Sequence, residues 1–284
     1  MRASLAIALL FAAGAFAFEE GGEWAGTELC QGCHEDIAKA FLKSNPHSSL
    51  DTNTRRGWQT RACEACHGSG VKHAESAEAS LIRNPGKLAV ALADKTCLSC
   101  HANQPSRSGR VMTGHARQQV SCVSCHPVHK KGPDPRTQCG SCHQGESLSF
   151  AKPHSHPVRQ GAMSCADCHN PHGGVLSKAV STFIGNEPGC LQCHGDKRGP
   201  FAYEHAPMRT EGCGACHEPH GSTNPRMLTR PSIAQSCLEC HAGTGAGFGG
   251  VPPAFHDLRS PRYRNCTTCH MKIHGSHVSK ALLR

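Results

Sequence analysis

Aromatic residues are scarce in this sequence, whereas Gly and Pro are common. Phe, Trp and Tyr together make up 5% of the 284 residues, against 30 Gly and 18 Pro. Because burial of large apolar side chains drives folding, a chain of this composition cannot build a sizeable core from its own side chains. We therefore expect bound groups to form the core, and we expect the polypeptide without them to be unstructured.

Long apolar runs are missing beyond the N-terminus. Met1–Ala17 combines one Arg with the run LAIALLFAAGA and an Ala-Phe-Ala end. This pattern is typical of a cleaved secretory signal peptide, and the alternative is a retained membrane anchor. No other stretch approaches the roughly 20 apolar residues of a spanning helix. We therefore expect a mature chain of residues 18–284, exported to a Gram-negative periplasm or outer membrane.

No cysteine lies outside a Cys-x-x-Cys pair, and no pair lacks a following His. The ten motifs are CQGCH, CEACH, CLSCH, CVSCH, CGSCH, CADCH, CLQCH, CGACH, CLECH and CTTCH. The cysteines are Cys30, Cys33, Cys63, Cys66, Cys97, Cys100, Cys122, Cys125, Cys139, Cys142, Cys165, Cys168, Cys190, Cys193, Cys213, Cys216, Cys237, Cys240, Cys266 and Cys269. The motif histidines are His34, His67, His101, His126, His143, His169, His194, His217, His241 and His270.

The following His decides what the pairs bind. A zinc site or a disulfide scaffold has no need of His at that position, whereas Cys-x-x-Cys-His is the attachment signature of c-type haem. Two thiols add to the porphyrin vinyl groups, and the adjacent imidazole reaches the iron. We therefore predict ten covalent haem c groups, with the motif histidines as proximal iron ligands.

Twelve histidines remain for the distal side of ten irons. The candidates are His47, His73, His115, His129, His154 or His156, His172, His205, His220, His256, and His274 or His277. One lies between the two motifs of a pair and one follows the second motif, which predicts five di-haem modules near 28–73, 95–129, 137–172, 188–220 and 235–277. Our hypothesis is that the middle His serves the second haem of its module and the trailing His the first.

The trailing histidines follow a motif His closely. His129, His172 and His220 each come three residues after one, too near to reach the far face of that motif's own haem. They are therefore predicted to serve another iron, and the alternative is a surface His in a Pro-His turn. Because histidines suffice as ligands, bis-His haems without an open position are expected, which favours electron transfer over an enzyme.

The basic excess does not indicate a nucleic-acid partner. The formal charge is +9. Each bis-His ferric haem with its propionates adds about one net negative charge, so ten haems offset this excess. The basic residues are expected to be counterions to propionates.

The predicted fold class is a multihaem cytochrome c with short α-helices and irregular coil around an extended haem chain, and little or no β-sheet. Helices are predicted at Glu28–Lys43, at Ala74–Arg83 and at Lys87–Cys97, and no alternating strand pattern of any length occurs. Residues 242–253 (AGTGAGFGGVPP) are expected to be a flexible spacer rather than a phosphate loop.

The order and spacing of the motifs resemble the DmsE/MtrA-type decahaem c-type cytochromes over essentially all of the mature chain. The resemblance is strongest in CQGCHEDIAKAFLKSNPHSSL, CEACHGSGVKHAES, LIRNPGKL and CLSCH. It implies a periplasm-facing electron carrier inside an outer-membrane β-barrel porin-like protein. Implied partners are an extracellular multihaem cytochrome or terminal reductase on one side, and an inner-membrane or periplasmic cytochrome donor on the other.

Three other functions compete with a conduit of this kind. They are a soluble periplasmic electron shuttle to a reductase, a subunit of a haem filament, and a multihaem oxidoreductase with one open haem. Carbon monoxide binding to the reduced protein distinguishes the oxidoreductase, because only an open iron binds it.

Overall fold

The chain folds into many short helices joined by irregular backbone. This computed structural model describes residues 23–104, 114–132, 134–172, 189–241 and 261–283. The α-helices are α1 (Thr27–Cys33), α2 (Glu35–Ser44), α3 (Glu64–His67), α4 (Val71–Ser76), α5 (Val90–His101), α6 (Gly114–Arg117), α7 (Cys122–Cys125), α8 (Pro135–Gly140), α9 (Gln144–Ser149), α10 (Cys165–Cys168), α11 (Pro207–Thr210) and α12 (Ile233–Leu238).

Short 3₁₀ helices and one small sheet complete the described elements. The 3₁₀ helices are Pro46–Asp51, Thr54–Arg56, Ala79–Leu81, Pro85–Lys87, Gly189–Gln192, Gly195–Lys197, Cys213–Ala215, Pro225–Met227, Pro261–Tyr263 and Cys266–Thr268. Strands β1 (Tyr203–Glu204) and β2 (Gly275–Ser276) pair antiparallel, with Tyr203 opposite Ser276. The predicted class of short helices with little β-sheet is confirmed.

The stretch Glu28–Lys43 is helical as predicted except at His34, where the structure divides it into two helices. The backbone of His34 leaves the helical region, with φ −114° and ψ 44°, and α2 then begins at Glu35. Glu35 and Asp36 in the first turn of α2 and Lys43 in its last turn favour the new start, because they complement the helix dipole.

The other two helix predictions fared differently. The helix predicted at Ala74–Arg83 is wrong, because α4 ends at Ser76, where Ala77 adopts a left-handed φ of 60°. A helix is present at the predicted position Lys87–Cys97, but its ends differ from the predicted ones. It begins at Val90, after the turn Pro85–Lys87, and it runs through the third motif to His101.

The described residues belong to two compact units. The first contains residues up to Ala102 together with Gln119–Gly132, and the second contains Asn103–Gln118 and the residues from 134 onward. The first four motifs and the last six motifs therefore lie in different units, whereas His115, from between the third and fourth motifs, belongs to the second.

The polypeptide contributes only a small apolar core of its own. The buried hydrophobic residues among those described are Ala38, Phe41, Ala62, Ala93, Val158, Leu191 and Leu282. Large side chains such as Leu148 and Val278 remain exposed, at 72% and 73%. No helix in the described part of the chain has the length and apolar character needed to cross a membrane.

Candidate haem-binding sites

Each Cys-x-x-Cys-His motif forms one tight turn. The backbone N–H of His34 donates to Cys30 O at 2.9 Å, and eight further motifs repeat this bond at 2.9 to 3.1 Å. The remaining motif His, His101, is the last residue of α5. Because side chains three and four positions apart share a face of such a turn, both thiols and the imidazole lie close together.

The cysteines are arranged for attachment rather than for cross-linking. All twenty are free thiols, and none of them is fully buried. Among the described residues, no group of three or more His, Cys, Asp or Glu side chains could hold a metal ion. This geometry favours haem attachment over a disulfide scaffold or a zinc array, both of which need cysteines brought together in fours or in bonded pairs.

In the first unit, three motif histidines each face a second His ring. The ring centres of His34 and His73 are 6.2 Å apart, and those of His67 and His129 are 5.7 Å apart. His47 and His101 are separated by 5.6 Å between ring centres and by 3.3 Å between their Nε2 atoms. The Nε2 contact shows that these two rings meet by the atoms that bind iron.

The second unit holds five more pairs of this kind. The distances between ring centres are 5.9 Å for His115 and His143, 6.3 Å for His156 and His194, 5.9 Å for His169 and His220, 6.2 Å for His205 and His241, and 6.3 Å for His217 and His274. Every pair joins one motif His to one of the remaining histidines.

The separation of the paired rings fits one metal ion held between them. A metal–imidazole bond is about 2.0–2.1 Å, so two nitrogens on one ion are about 4 Å apart and their ring centres about 6 Å. The observed range of 5.6 to 6.3 Å between ring centres matches that separation, whereas the Nε2 atoms of His47 and His101, at 3.3 Å, are closer than about 4 Å. A pair of histidines and two nearby thiols is the donor set of a covalently attached bis-His haem.

Hydrogen bonds at Nδ1 fix which nitrogen faces the metal position. His67 Nδ1 lies 2.7 Å from Arg83 O, and a carbonyl only accepts, so Nδ1 carries the hydrogen and Nε2 keeps its lone pair. Corresponding bonds join Nδ1 of His73 to Glu78 O, His115 to Pro171 O, His156 to Pro219 O, His217 to Arg226 O, and His270 to Ala281 O. His47 Nδ1 instead contacts the side-chain oxygen of Asn45, at 3.0 Å.

The protonation of these rings also suits metal binding. Burial lowers the pKa of His47, His67, His169 and His205 below its ordinary value. Burial, followed by the charge of Lys197, lowers the pKa of His274 to about 4. These imidazoles are therefore neutral at pH 7, and a neutral imidazole is the form that coordinates a metal.

The partners differ from the hypothesis for most pairs. His34 and His73 lie together as expected. His47, however, lies beside His101 of the next module and not beside His67, and His129 lies beside His67 of the preceding module. The physical reason is that the chain folds back between modules, so the nearest motif in space is not the nearest in sequence. His129 and His220 do face another motif's His, in agreement with the argument from their spacing.

The histidines of the two open choices have different neighbours. His156 lies beside His194, whereas His154, the first choice, forms a backbone bridge with Ser222. Among the described residues, no motif His ring is recorded beside His154. His274 lies beside His217, and the ring of His277 instead packs 5.3 Å from that of Phe201.

Two further distal candidates, His172 and His256, are not among the pairs given above. The backbone N–H of His172 donates to Asn170 Oδ1 at 3.0 Å. His256 lies outside the described residues, as do the predicted signal peptide Met1–Ala17 and the glycine-rich spacer 242–253.

Thiols of successive motifs are also close. The first cysteines of two paired motifs lie close enough to affect each other's pKa, as for Cys30 with Cys63 and Cys190 with Cys213. These interactions lower the pKa of Cys63 to about 7 and that of Cys213 to about 6. The contacts place the attachment points of the two motifs of a module side by side.

Contacts between modules involve the second cysteines. Burial, followed by the charges of Cys97 and Cys100, raises the pKa of Cys66 to about 11. Burial and then Cys240 raise the pKa of Cys216. In the first unit, the attachment cysteines of each of the first three motifs therefore lie near those of the next motif. In the second unit, the same holds for the last four motifs.

Comparisons with known proteins find the same Cys-x-x-Cys-His motifs in cytochromes. The family described as "Doubled CXXCH motif" matches residues 156–199 and 205–246, and "Cytochrome c-type protein NrfB-like" matches residues 63–136. "Multiheme cytochrome MtrA" of Shewanella baltica is 36% identical over 276 residues, covering 91% of this chain and 81% of the relative. "High-molecular-weight cytochrome c" of Nitratidesulfovibrio vulgaris is 25% identical over 301 residues, 87% of this chain and 50% of the relative.

The motif turns, the paired histidines and these matches define a multihaem c-type cytochrome. Within that class, the chain belongs to the MtrA family, which confirms the resemblance found in the sequence. It binds haem c covalently and transfers electrons through haem, and it is not an enzyme.

Proposed function

We propose that this cytochrome carries ten haem c groups, each held between two histidines, and that it conducts electrons along them. The observation that supports the ten bis-His sites is the set of eight His pairs, each with one motif His, at 5.6 to 6.3 Å. His172 and His256 are the remaining distal candidates. Haem supplies one-electron chemistry at iron, and the residues described here hold and orient it.

The pairing ties successive modules together in a regular way. The middle His of one module faces the first motif His of the next in His47–His101, His115–His143, His156–His194 and His205–His241. The trailing His of one module faces the second motif His of the preceding module in His129–His67, His220–His169 and His274–His217. Within each unit, neighbouring sites are thus kept at close range by ligands that the modules exchange, which favours electron transfer between them.

We further propose that the conduit works at the outer membrane. The sequence of residues 1–17 supports export, and the family membership supports a place inside an outer-membrane β-barrel porin-like protein. Its partners there would be an extracellular multihaem cytochrome or terminal reductase, and an inner-membrane or periplasmic cytochrome donor. A nucleic-acid partner forms no part of this proposal.

The test is a pull-down of the tagged protein from detergent-solubilised outer membrane, with haem-stained gels of every fraction. Copurification with a β-barrel supports the conduit. Recovery only in the soluble periplasm overturns the barrel part and leaves a periplasmic shuttle. The mass of the purified protein counts the haems directly, and a value other than ten contradicts the proposed number.

A further inference from the structure

One carboxylate lies buried inside the second haem-binding motif. Glu64 follows Cys63 in CEACH, begins helix α3 and is 1% exposed. Among the described residues no basic side chain forms an ion pair with it. A buried charged group of this kind is rare unless a specific set of hydrogen bonds holds it.

Three backbone N–H groups donate to this carboxylate. Ala25 N and Gly70 N donate to Glu64 Oε1 at 2.9 and 2.8 Å, and Gly26 N donates to Oε2 at 3.0 Å. All three partners are donors, so the side chain acts only as an acceptor, which is the behaviour of the ionised form. Hydrogen bonds to an ionised acceptor are about twice as strong as neutral ones.

The donors belong to two helix starts that carry the two histidines of one pair. Gly26 is the N-cap of α1, which ends one residue before His34, and Gly70 is the N-cap of α4, which contains His73. These two rings face each other at 6.2 Å with 16° between their planes. A single carboxylate thus connects the backbone on both sides of the first haem site, although it belongs to the second motif.

The negative charge of Glu64 also acts on the first site. The Cys30 thiol has a raised pKa, which is due first to its interaction with Cys63, then to burial and to the charge of Cys63, and after these to the charge of Glu64. Cys30 is an attachment cysteine of the first motif. Because a nearby anion opposes the addition of an electron, this charge favours the oxidised state of a group bound there.

We propose that Glu64 is a positioning residue for the first haem site: it holds His34 and His73 in register and, through its charge, lowers the reduction potential of the haem between them. The inference rests on the proposed bis-His ligation, and it assigns a role to a residue that touches neither iron nor porphyrin.

The experiment compares wild-type holoprotein with three variants. Glu64→Gln removes the charge and places an NH₂ group against backbone donors. Glu64→Asp keeps the charge and shortens the reach. Glu75→Gln is the matched control, since Glu75 is an exposed glutamate on α4, the helix that contains His73. Haem content is checked by mass, and each reduced protein is then titrated with carbon monoxide and by optical redox titration.

We expect Glu64→Gln to bind carbon monoxide at about one haem per protein and to favour reduction of one haem about tenfold, which is about 59 mV for one electron. Glu64→Asp should bind carbon monoxide without that shift, and Glu75→Gln should match wild type in both measurements. Wild-type behaviour of Glu64→Gln, or the same shift in Glu75→Gln, overturns the inference.

The outcome remains decisive if Glu64→Gln fails to mature. In that case Glu64→Asp carries the test, because the absence of carbon monoxide binding in that variant contradicts the positioning role. Failure of the proposed function has a different signature. There the wild-type protein would itself bind carbon monoxide or carry fewer than ten haems, whatever Glu64 does.

Discussion

The second and eighth motifs differ in sequence at a single position, CEACH against CGACH, and the structure supports them differently. In both motifs the His donates from Nδ1 to a later carbonyl, His67 to Arg83 O at 2.7 Å and His217 to Arg226 O at 2.9 Å. The second motif is also held by the buried Glu64, whereas Gly214 of the eighth has open space where a side chain would begin.

The eighth motif is held by two bonds between backbone segments, whereas the second motif has one, from Arg83 N to His67 O at 3.1 Å. Glu218 N donates to Met227 O at 2.7 Å and Thr229 N donates to Cys216 O at 2.9 Å. The comparison teaches that the Cys-x-x-Cys-His turn is a constant unit and that further contacts around it supply the rigidity. One motif achieves this with a buried side chain, the other with a folded-back loop.

The largest expected effect comes from making the second motif identical to the eighth. Glu64→Gly removes the acceptor of three backbone N–H groups, and each donor left unsatisfied costs about 1–3 kcal/mol. We expect the free energy of unfolding to fall by at least about 3 kcal/mol, measured by chemical denaturation of the holoprotein. The reciprocal change Gly214→Glu adds an open surface side chain and should alter stability by less than about 0.5 kcal/mol. Equal effects of the two changes would contradict the comparison.

A glycine substitution probes the folded-back loop of the eighth motif. Gly221 has a φ of 140°, and a Cβ built there would lie 2.3 Å from Ser149 O. Gly221→Ala should therefore destabilise the protein by about 2–3 kcal/mol. In the region of the second motif, Gly70→Ala is the control, because its Cβ would make only ordinary contacts of 3.5 to 3.8 Å. A thermal melt that ranks Gly70→Ala as the more damaging change would refute this reasoning.

Substitution of the distal histidines compares the haem sites of the second and eighth motifs directly. His274→Ala removes the ring that faces His217, so we expect the reduced protein to bind carbon monoxide at about one haem. His277→Ala is the matched control, since that ring packs on Phe201. In the region of the second motif, His129 faces His67, so His129→Ala should behave as His274→Ala does. Carbon monoxide binding by the His277→Ala variant alone would mean that the assignment is reversed.

An exposed ion pair near the eighth motif gives the smallest effect. Arg209 bonds to Glu204 at the surface and lowers the pKa of that carboxyl group. Because solvent screens such a pair, Arg209→Ala should leave the stability at pH 7 nearly unchanged. A lowered carboxyl pKa contributes stability above the unfolded value of about 4.3 and loses it as the pH falls. Denaturation at pH 7 and at pH 3 checks both points, and a loss equal to that of Glu64→Gly would contradict them.

The sequence predicts the local chemistry of this protein well, because that chemistry is encoded in adjacent residues. Five positions define each attachment turn, and spacing alone indicates that His129 and His220 serve another motif. Continuous helical periodicity does not reveal the break at His34, which follows from the turn of the motif itself. The pairing of His47 with His101 depends on the path of the chain between them, and no nearby residue encodes that path.

The role of Glu64 could not be predicted from the sequence either. This residue occupies a variable position of a common motif, and its three donors come from segments 38, 39 and 6 residues away along the chain. Only their packing brings these donors to one carboxylate. The choice of His156 over His154 is of the same kind, because Nδ1 of His156 finds its partner in Pro219 O, 63 residues later.

The exchange of histidines between modules bears on how such a gene can change in length. The second and fourth modules each offer a middle His to the module that follows and a trailing His to the module before it. Removal of the fourth module therefore leaves its neighbours able to serve each other. The first module is the exception, since His34 is served by His73 of the same module. Longer and shorter arrays can therefore arise by duplicating or deleting whole interior modules. The first module, in which His34 and His73 face each other, can stay unchanged.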